Sequence, residues 1–429
     1  MLTSILKQIL NQRRSNAWIA AELVLVFCLV WYIADYLFVY GYNLSIPGHN
    51  DLRHAWQITL GEYPPNYPQY RESESTDEAR EANFERILQA LRDAPGIEAV
   101  AVLSARTEPA SASYMGRSLQ SAEDSTLFAP GQQIDADARD DFFRVFAHTT
   151  DGGRTVASSR DFDLSNPRGV VITRSVADRL FPDGSPAVGR TVLYRKEPYT
   201  VTGVVDNVKR FDYLRPQSTF YMFSDRHRAA SLPDAVIAVR SRPSAGKSFG
   251  ENFKLEMTDR LQAGNFYLRS VVAYADIAEA TKEMFGISKD VRVRTYLMAF
   301  FLLNILLCVT GTFRYRVNMR REEIGTRRAL GASSSGVRNA LLLEGLCLLT
   351  AAMLPAIVME YQFVRAGLIE TLGKNVNEAG LYLPDRTHLR FLITNAVTWV
   401  IMAAVIVAAI WLPARRAAAL PPAEALHYE

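Results

Sequence analysis

Cysteine is scarce in this sequence: there are three in 429 residues. Cys28, Cys308 and Cys347 all fall in apolar runs, where they are expected to act as small packing residues. None lies between residues 43 and 290, so that segment has neither a disulfide framework nor a cysteine-based metal site. Histidine is also thin. Of six dispersed residues, His49 and His54 are five apart, which does not place two metal ligands on one helical face. There is no HExxH and no nucleophile elbow. Gly246-Lys247-Ser248 imitates the end of a phosphate loop, but Ser241 stands where the first glycine belongs. No pair of carboxylates is set apart by its context. The chain is therefore expected to be non-catalytic, with no cofactor and no metal of its own. No basic stripe is interleaved with aromatics, so no nucleic-acid partner is expected.

Long apolar runs are what the sequence does have. They cover Trp18 to Tyr40, Thr295 to Phe313, Ala340 to Tyr361 and Phe391 to Leu412. Each approaches the roughly 20 residues needed to cross a hydrocarbon core of about 30 Å. The first is too long for the apolar part of a signal peptide and is followed by no small-residue cleavage site, so it reads as a retained anchor. The third carries Glu344 and Pro355 but is otherwise apolar.

Basic residues orient these spans. Lys7, Arg13 and Arg14 precede the first. Arg314, Arg316, Arg320, Arg321, Arg327, Arg328 and Arg338 lie between the second and third, and Arg415 and Arg416 follow the fourth. All three basic segments share one side only if there are four spans, and that side is cytoplasmic. Residues 43–290 then lie outside, with 30 Lys and Arg against 34 Asp and Glu; the rest of the chain has 18 against 11. The fold class is an α+β membrane protein: four transmembrane helices, with a large mixed α/β extracytoplasmic domain between the first two. The expected boundaries are 1–42 for the N-terminus and first helix, 43–290 for the domain and 291–313 for the second helix. They continue as 314–338 for a cytoplasmic connection, 339–364 for the third helix, 365–388 for a short outer loop, 389–413 for the fourth helix and 414–429 for a cytoplasmic tail.

Within the domain, Phe84, Ile87, Leu88 and Leu91 recur at helical spacing, which predicts a helix over 78–94 ended by Pro95-Gly96. Strands are expected over 97–103, 169–173, 219–223, 235–239 and 266–273, with a hairpin pairing 191–194 and 199–205. Ser175 is read as the cap of a short helix after 173. Further helices are expected over 249–261 and over 276–290, the latter running on into the second span. Residues 104–137, polar and rich in Ser, Ala and Asp, read as a long loop.

Three acids inside the spans are notable because charge there is costly. Glu22 and Asp35 are both placed near interfaces. Glu344 lies about one turn into the third span. It is read either as reaching an interfacial Arg or backbone partner, or as serving a subunit contact or a link to the cytoplasmic connection.

That connection contains the stretch RREEIGTRRALGAS. Glu322 and Glu323 suit the positive start of a helix, Arg327 and Arg328 its negative end, and Glu323 and Arg327 form an i, i+4 pair. Gly331 is placed to end the helix in a left-handed conformation, and a serine among 333–335 to cap the next. From the residues alone, the helix reads equally as a protein contact or as an amphipathic helix on anionic lipid.

The same stretch, followed by LLLEG, resembles the signature of MacB/FtsX-type ABC transporter permeases. VVITRSVADRLFPDGSPAVGRTV and YTVTGVVDNVKRF are similar to the MacB extracellular domain, and PARRAAALPPAEALHYE to the family's tail. The resemblance implies a permease subunit in the bacterial inner membrane, with both termini cytoplasmic. It implies that the short helix is a coupling helix seated on an ATPase through Glu323, Ile324, Gly325, Arg328, Ala329, Leu330 and Gly331. About sixteen residues precede the first span, so the ATPase, with its ATP and Mg, is expected on a separate polypeptide. The other implied partners are a second permease, identical or related, a possible periplasmic adaptor and outer-membrane duct, and membrane lipid. The implied activity is mechanotransmission, in which ATP hydrolysis moves the exterior domain to export peptides, drugs or similar cargo. The alternatives are an FtsX-like or lipoprotein-release-like regulator, or a membrane sensor or scaffold without an ATPase.

Overall fold

The computed structural model describes residues 13–150, 152–156, 161–164, 166–223, 235–246, 248–367 and 387–419. Lys7, Lys247, most of the 365–388 loop and the tail beyond 419 lie outside these residues. Two compact units form, divided near residues 42 and 288.

The first unit holds four long helices: span one Arg13–Ser45, span two Ile287–Met319, span three Ser334–Arg365 and span four Thr387–Ala419. All four are long and apolar enough to cross a membrane. Span one has 33 residues; at 1.5 Å per residue such a helix is about 50 Å long and outreaches the hydrocarbon core. The bundle core is built from Leu23, Phe27 and Val30, Ile305 and Phe313, Leu348 and Leu349, and Met402, Ile406 and Ile410. Spans three and four approach closely at Gly345, where a Cβ would lie 2.2 Å from Ile410 Cδ1. A small residue at that point lets the backbones meet, which is how helices gain packing energy without a hydrophobic driving force.

The second unit, Asn43–Ile287, is mixed α/β. Its strands are β1 (Ala55–Glu62), β2 (Ile97–Ser104), β3 (Gly116–Ser121), β4 (Phe128–Ala136), β5 (Thr149–Thr150), β6 (Arg154–Thr155), β7 (Gly169–Thr173), β8 (Thr191–Tyr194), β9 (Glu197–Val205), β10 (Thr219–Phe223), β11 (Ala235–Ser241) and β12 (Phe266–Ala273). Its helices are α1 (Asp77–Arg92), α2 (Phe142–Val145), α3 (Arg174–Leu180), α4 (Phe249–Met257) and α5 (Tyr274–Met284). Ten strands form one sheet in the order β10-β7-β9-β8-β3-β4-β2-β11-β1-β12. β10 also pairs in parallel with β4. That extra ladder closes six strands into a small barrel and leaves the rest as an open sheet. Closure removes edges from the barrel half. The barrel is filled by Leu119, Val170, Ile172, Val192, Val201 and Phe220.

α1 covers the open sheet with Phe84, Ile87, Leu88 and Leu91, all buried. Thr76 caps it, its hydroxyl accepting from Ala79 N at 3.2 Å. In the β8–β9 hairpin, Arg195 (φ 51°) and Lys196 (φ 70°) both adopt left-handed conformations, as a two-residue turn matched to the strand twist requires.

Four expectations are corrected. Residues 104–137 are not a loop: they supply β3 and β4, two staves of the barrel. Polar side chains hid the pattern, because Gln132 and Gln133 are buried, and Tyr194 donates to Gln133 Oε1 at 2.6 Å. Ser175 is not a cap. It lies in the first turn of α3, its N–H donating to Asn207 Oδ1 at 2.9 Å. α4 ends at Met257, short of 261. The helix after β12 does not run on into span two. It stops at Met284, and Gly286 (φ 75°) breaks the backbone before span two begins.

His148 sits fully inside the domain core against Phe142 and Phe143, with Nε2 2.9 Å from the Tyr221 hydroxyl. Burial pushes its pKa down to about 3. The unfolded chain, with a histidine pKa of about 6.5, takes up a proton that the folded domain refuses. The stabilisation is complete above about pH 6.5 and is lost as pH falls towards about 3, at about 1.4 kcal/mol per pH unit. Thermal unfolding of the full chain in detergent, compared at neutral pH and near pH 5, should show a steeper loss for the parent than for His148→Gln. Equal pH slopes would refute this.

Candidate functional site

The connection between spans two and three folds as a short helix, Arg321–Ala329, set between two turns. Glu322 and Glu323 occupy its first turn, and Arg327 and Arg328 its last, matching the helix dipole. Arg327 pairs with Glu323 one turn back. The C-terminus closes with two backbone bonds: Gly331 N donates to Arg328 O and Ala332 N to Arg327 O, both at 3.0 Å. Gly331 takes φ 96°, the left-handed turn of a Schellman cap. Ser333 then caps span three, its hydroxyl accepting from Gly336 N at 3.1 Å. The loop is therefore fixed at both ends.

The helix has a clear inside and outside. Ile324 and Gly325 are buried, and Ile324 joins the bundle core with Val317, Val337 and Leu341. Glu322, Glu323, Thr326, Arg327, Ala329, Leu330 and Gly331 are exposed, and Arg328 is half-buried. Leu330, at the C-cap, is 84 % exposed. Of the residues expected to form the contact surface, Ile324 and Gly325 instead seat the helix on its own bundle. The apolar feature left facing outward is Leu330.

Glu344 ties this element to span three. Arg316 Nη1 donates to its Oε1 and Arg320 Nη1 to its Oε2, each at 2.9 Å. Arg316 ends span two, Arg320 is the N-cap of the short helix, and Glu344 and Arg316 are both buried. One carboxylate thus joins three elements. This is an Arg partner of the kind expected for Glu344 and also a link to the connection.

The other intramembrane acids are also engaged. Glu22 is half-buried and accepts from the Cys308 thiol on span two at 2.9 Å. Asp35 is enclosed in the bundle, 3.1 Å from Arg390 Nε near the start of span four. Cys308 is therefore a donor to a carboxylate as well as a packing residue. The sequence reading passed over Glu360, which lies at the far end of span three and is fully buried. Its signal was present: an acid closing an otherwise apolar run. Among the described residues no three metal-ligating side chains converge.

Glu344 balances two guanidiniums in a low-dielectric setting. Removing one partner of such a group leaves uncompensated buried charge and costs about 3–5 kcal/mol. Glu344→Gln should lower the thermal midpoint of the full chain in detergent, and Arg320→Gln should lower it less, because Arg316 keeps its partner. Identical melting of Glu344→Gln and the parent would contradict the role assigned to the carboxylate.

Known families match this chain over both of its units. The MacB-like periplasmic core domain family matches residues 36–275, and the FtsX-like permease C-terminal family matches residues 296–422. The macrolide export ATP-binding/permease protein MacB 1 of Yersinia pestis is 24 % identical over 299 residues, covering 68 % of this chain and 42 % of its own length. The macrolide export ATP-binding/permease protein MacB of Neisseria meningitidis serogroup B is 27 % identical over 185 residues, covering 41 % of this chain and 27 % of its own. The chain thus spans less than half the length of these relatives. Among solved structures, the periplasmic region of MacB from Actinobacillus actinomycetemcomitans aligns with a TM-score of 0.32 at 16 % identity, covering 54 % of this chain and 94 % of that one. The extracellular domain of the transporter YknZ from Gram-positive bacteria aligns with a TM-score of 0.29 at 17 % identity, covering 50 % of this chain and all of that one.

Proposed function

The chain belongs to the MacB/FtsX-type family of ABC transporter permeases, and on that premise we propose that it couples ATP hydrolysis by a partner ATPase to movement of its large domain. The observation that carries this reading is the short helix Arg321–Ala329. It is closed at its C-terminus by the Gly331 turn, seated by Ile324, and fastened through Arg320 and Glu344 to spans two and three, yet it leaves Leu330 exposed. A helix lying on lipid would not need to be fixed so firmly. A helix that receives a push does.

In this reading the N-terminus, the connection and the C-terminus are cytoplasmic, as their arginines favour, and the membrane is the bacterial inner membrane. The ATPase binds ATP and Mg and docks on the exposed face: Glu323, Arg328, Ala329, Leu330 and Gly331. Ile324 and Gly325 position that face. A second permease completes the membrane part. The exterior domain works on cargo outside the membrane, of the peptide or drug class, with an adaptor and outer-membrane duct as further partners. The match to a MacB-like core over residues 36–275 supports export over an FtsX-like regulatory role or a sensor without an ATPase.

Leu330→Asp tests the contact, because its exposure leaves the fold untouched. A tagged chain purified from its host should recover an ATPase. The Leu330→Asp chain should recover at least about tenfold less, the equivalent of 1.4 kcal/mol, with an unchanged thermal midpoint. Equal recovery by the two chains, or no ATPase with either, would sink the coupling reading.

A further inference from the structure

The domain holds a cavity that the coupling geometry does not use. It lies between three pieces of the second unit: residues 44–52, the turn at 209–212, and α5. Its volume is about 370 Å³. Pockets for small molecules run from about 300 to 1,000 Å³, so it can take a short ligand. Leu44, Ile46, Leu52, Phe211 and Ala278 supply its apolar lining. Lys209 and Arg210 bring positive charge to it, and Asp212 and Glu279 bring negative charge.

The two signs are not balanced alike. The acids have a cation of their own: Lys282 Nζ lies 3.7 Å from Asp212 Oδ2 and 3.5 Å from Glu279 Oε2. The two cations meet only backbone carbonyls among the described residues. Lys209 Nζ donates to Asn43 O and, at 3.0 Å, to Asp212 O. Arg210 Nη2 donates to Ser111 O, Ala112 O and Ser113 O at 2.8, 3.2 and 2.9 Å. Carbonyls solvate a cation without removing its charge. Yet Lys209 is 8 % exposed and Arg210 7 %. Burying charge without a counter-charge is costly, and an anion beside these groups would offset the cost.

Arg210 also has donors to spare. Its guanidinium is flanked by the Tyr114 and Phe211 rings, 4.9 and 5.0 Å away. Of its five N–H donors it uses only those on Nη2, and the buried Nε has no acceptor. A guanidinium fixed in this way is suited to a planar carboxylate. The apolar lining calls for a hydrocarbon chain on the same molecule. Asp212 and Glu279 argue against a second negative charge.

We propose that this cavity binds an amphiphilic carboxylate, with its head beside Lys209 and Arg210 and a short apolar chain against Leu44, Ile46 and Phe211. Arg210 Nη1 donates to the bound head. The site belongs to the domain alone, so its test needs neither the ATPase nor transport.

Radiolabelled octanoate is the probe, dialysed to equilibrium against the full chain in nanodiscs of neutral lipid. Binding should saturate and exceed that of empty nanodiscs. Unlabelled octanoate should compete, and 1-octanol should not. Octyl phosphate, which carries nearly two charges at neutral pH, should compete less well than octanoate. Ala278→Trp fills the cavity from a half-buried position and should weaken binding at least about tenfold, with the thermal midpoint unchanged. Glu279→Gln, at an exposed position, removes a repelling charge and should tighten binding about threefold. No binding above empty nanodiscs would overturn the proposal, as would equal binding by Ala278→Trp or looser binding by Glu279→Gln. Competition by octanol equal to that of octanoate would mean an apolar cavity without an anion site. Stronger competition by octyl phosphate would mean a phosphate site, such as one for a lipid headgroup, and would overturn the carboxylate assignment.

Discussion

Charge inside hydrocarbon must be balanced where it stands, and this constraint orders the membrane unit from one end to the other. At one end Glu344 holds Arg316 and Arg320; towards the other, Asp35 holds Arg390. The Glu344 links join consecutive elements, whereas the Asp35 link joins spans one and four, the first and last of the bundle. Such links supply little net stability, because desolvation offsets most of the attraction. What they supply is register. An Arg390 one turn out of place would leave two buried charges alone, and the bundle cannot slide by that much without exposing both to lipid. The apolar core around Phe27, Phe313, Leu349 and Ile410 fills space, and the ion pairs decide which faces meet.

The same constraint explains how the short connecting helix can be rigid although it has only nine residues. A helix of that length is marginal by itself. Here its N-terminus is held by Arg320 on Glu344, its middle by Ile324 in the bundle core, and its C-terminus by the Gly331 turn and the Ser333 cap that follows. The exposed residues are thus presented on a fixed frame.

Much of this could be read in the sequence, and the parts that could not have identifiable reasons. Apolar runs long enough to cross a bilayer leave few alternatives, so four long apolar helices could be expected. RREEIGTRRALGAS carried its own cap, dipole and stop signals, and these appear in the structure. The direction in which Ile324 points was not encoded locally. A nine-residue helix with one apolar flank looks the same whether that flank meets a partner or its own bundle, and only the neighbouring Val337 and Leu341 decide it. In β4, strand alternation was masked because the buried positions include Gln132 and Gln133, which are tolerated inside through partners such as Tyr194, remote in sequence. Asp35 was read by its distance from the ends of an apolar run, a measure that cannot see Arg390.

The break at Gly286 was visible as a residue and passed over as a conformation, and it matters for how the large domain is connected. The chain enters the domain on a pinned segment. Lys209 donates its ammonium to Asn43 O and its N–H to Gly48 O, Asn43 Nδ2 donates to Tyr213 O, and Asp51 N donates to Phe146 O at 2.8 Å. The chain leaves through a left-handed glycine, after α5 is closed by the Phe285 N–H on Thr281 O and the Gly286 N–H on Glu283 O. Asn43 to Asp51 are thus held by the domain's own groups, whereas residue 286 is where a side chain would be most costly, since glycine alone adopts that conformation without a Cβ penalty.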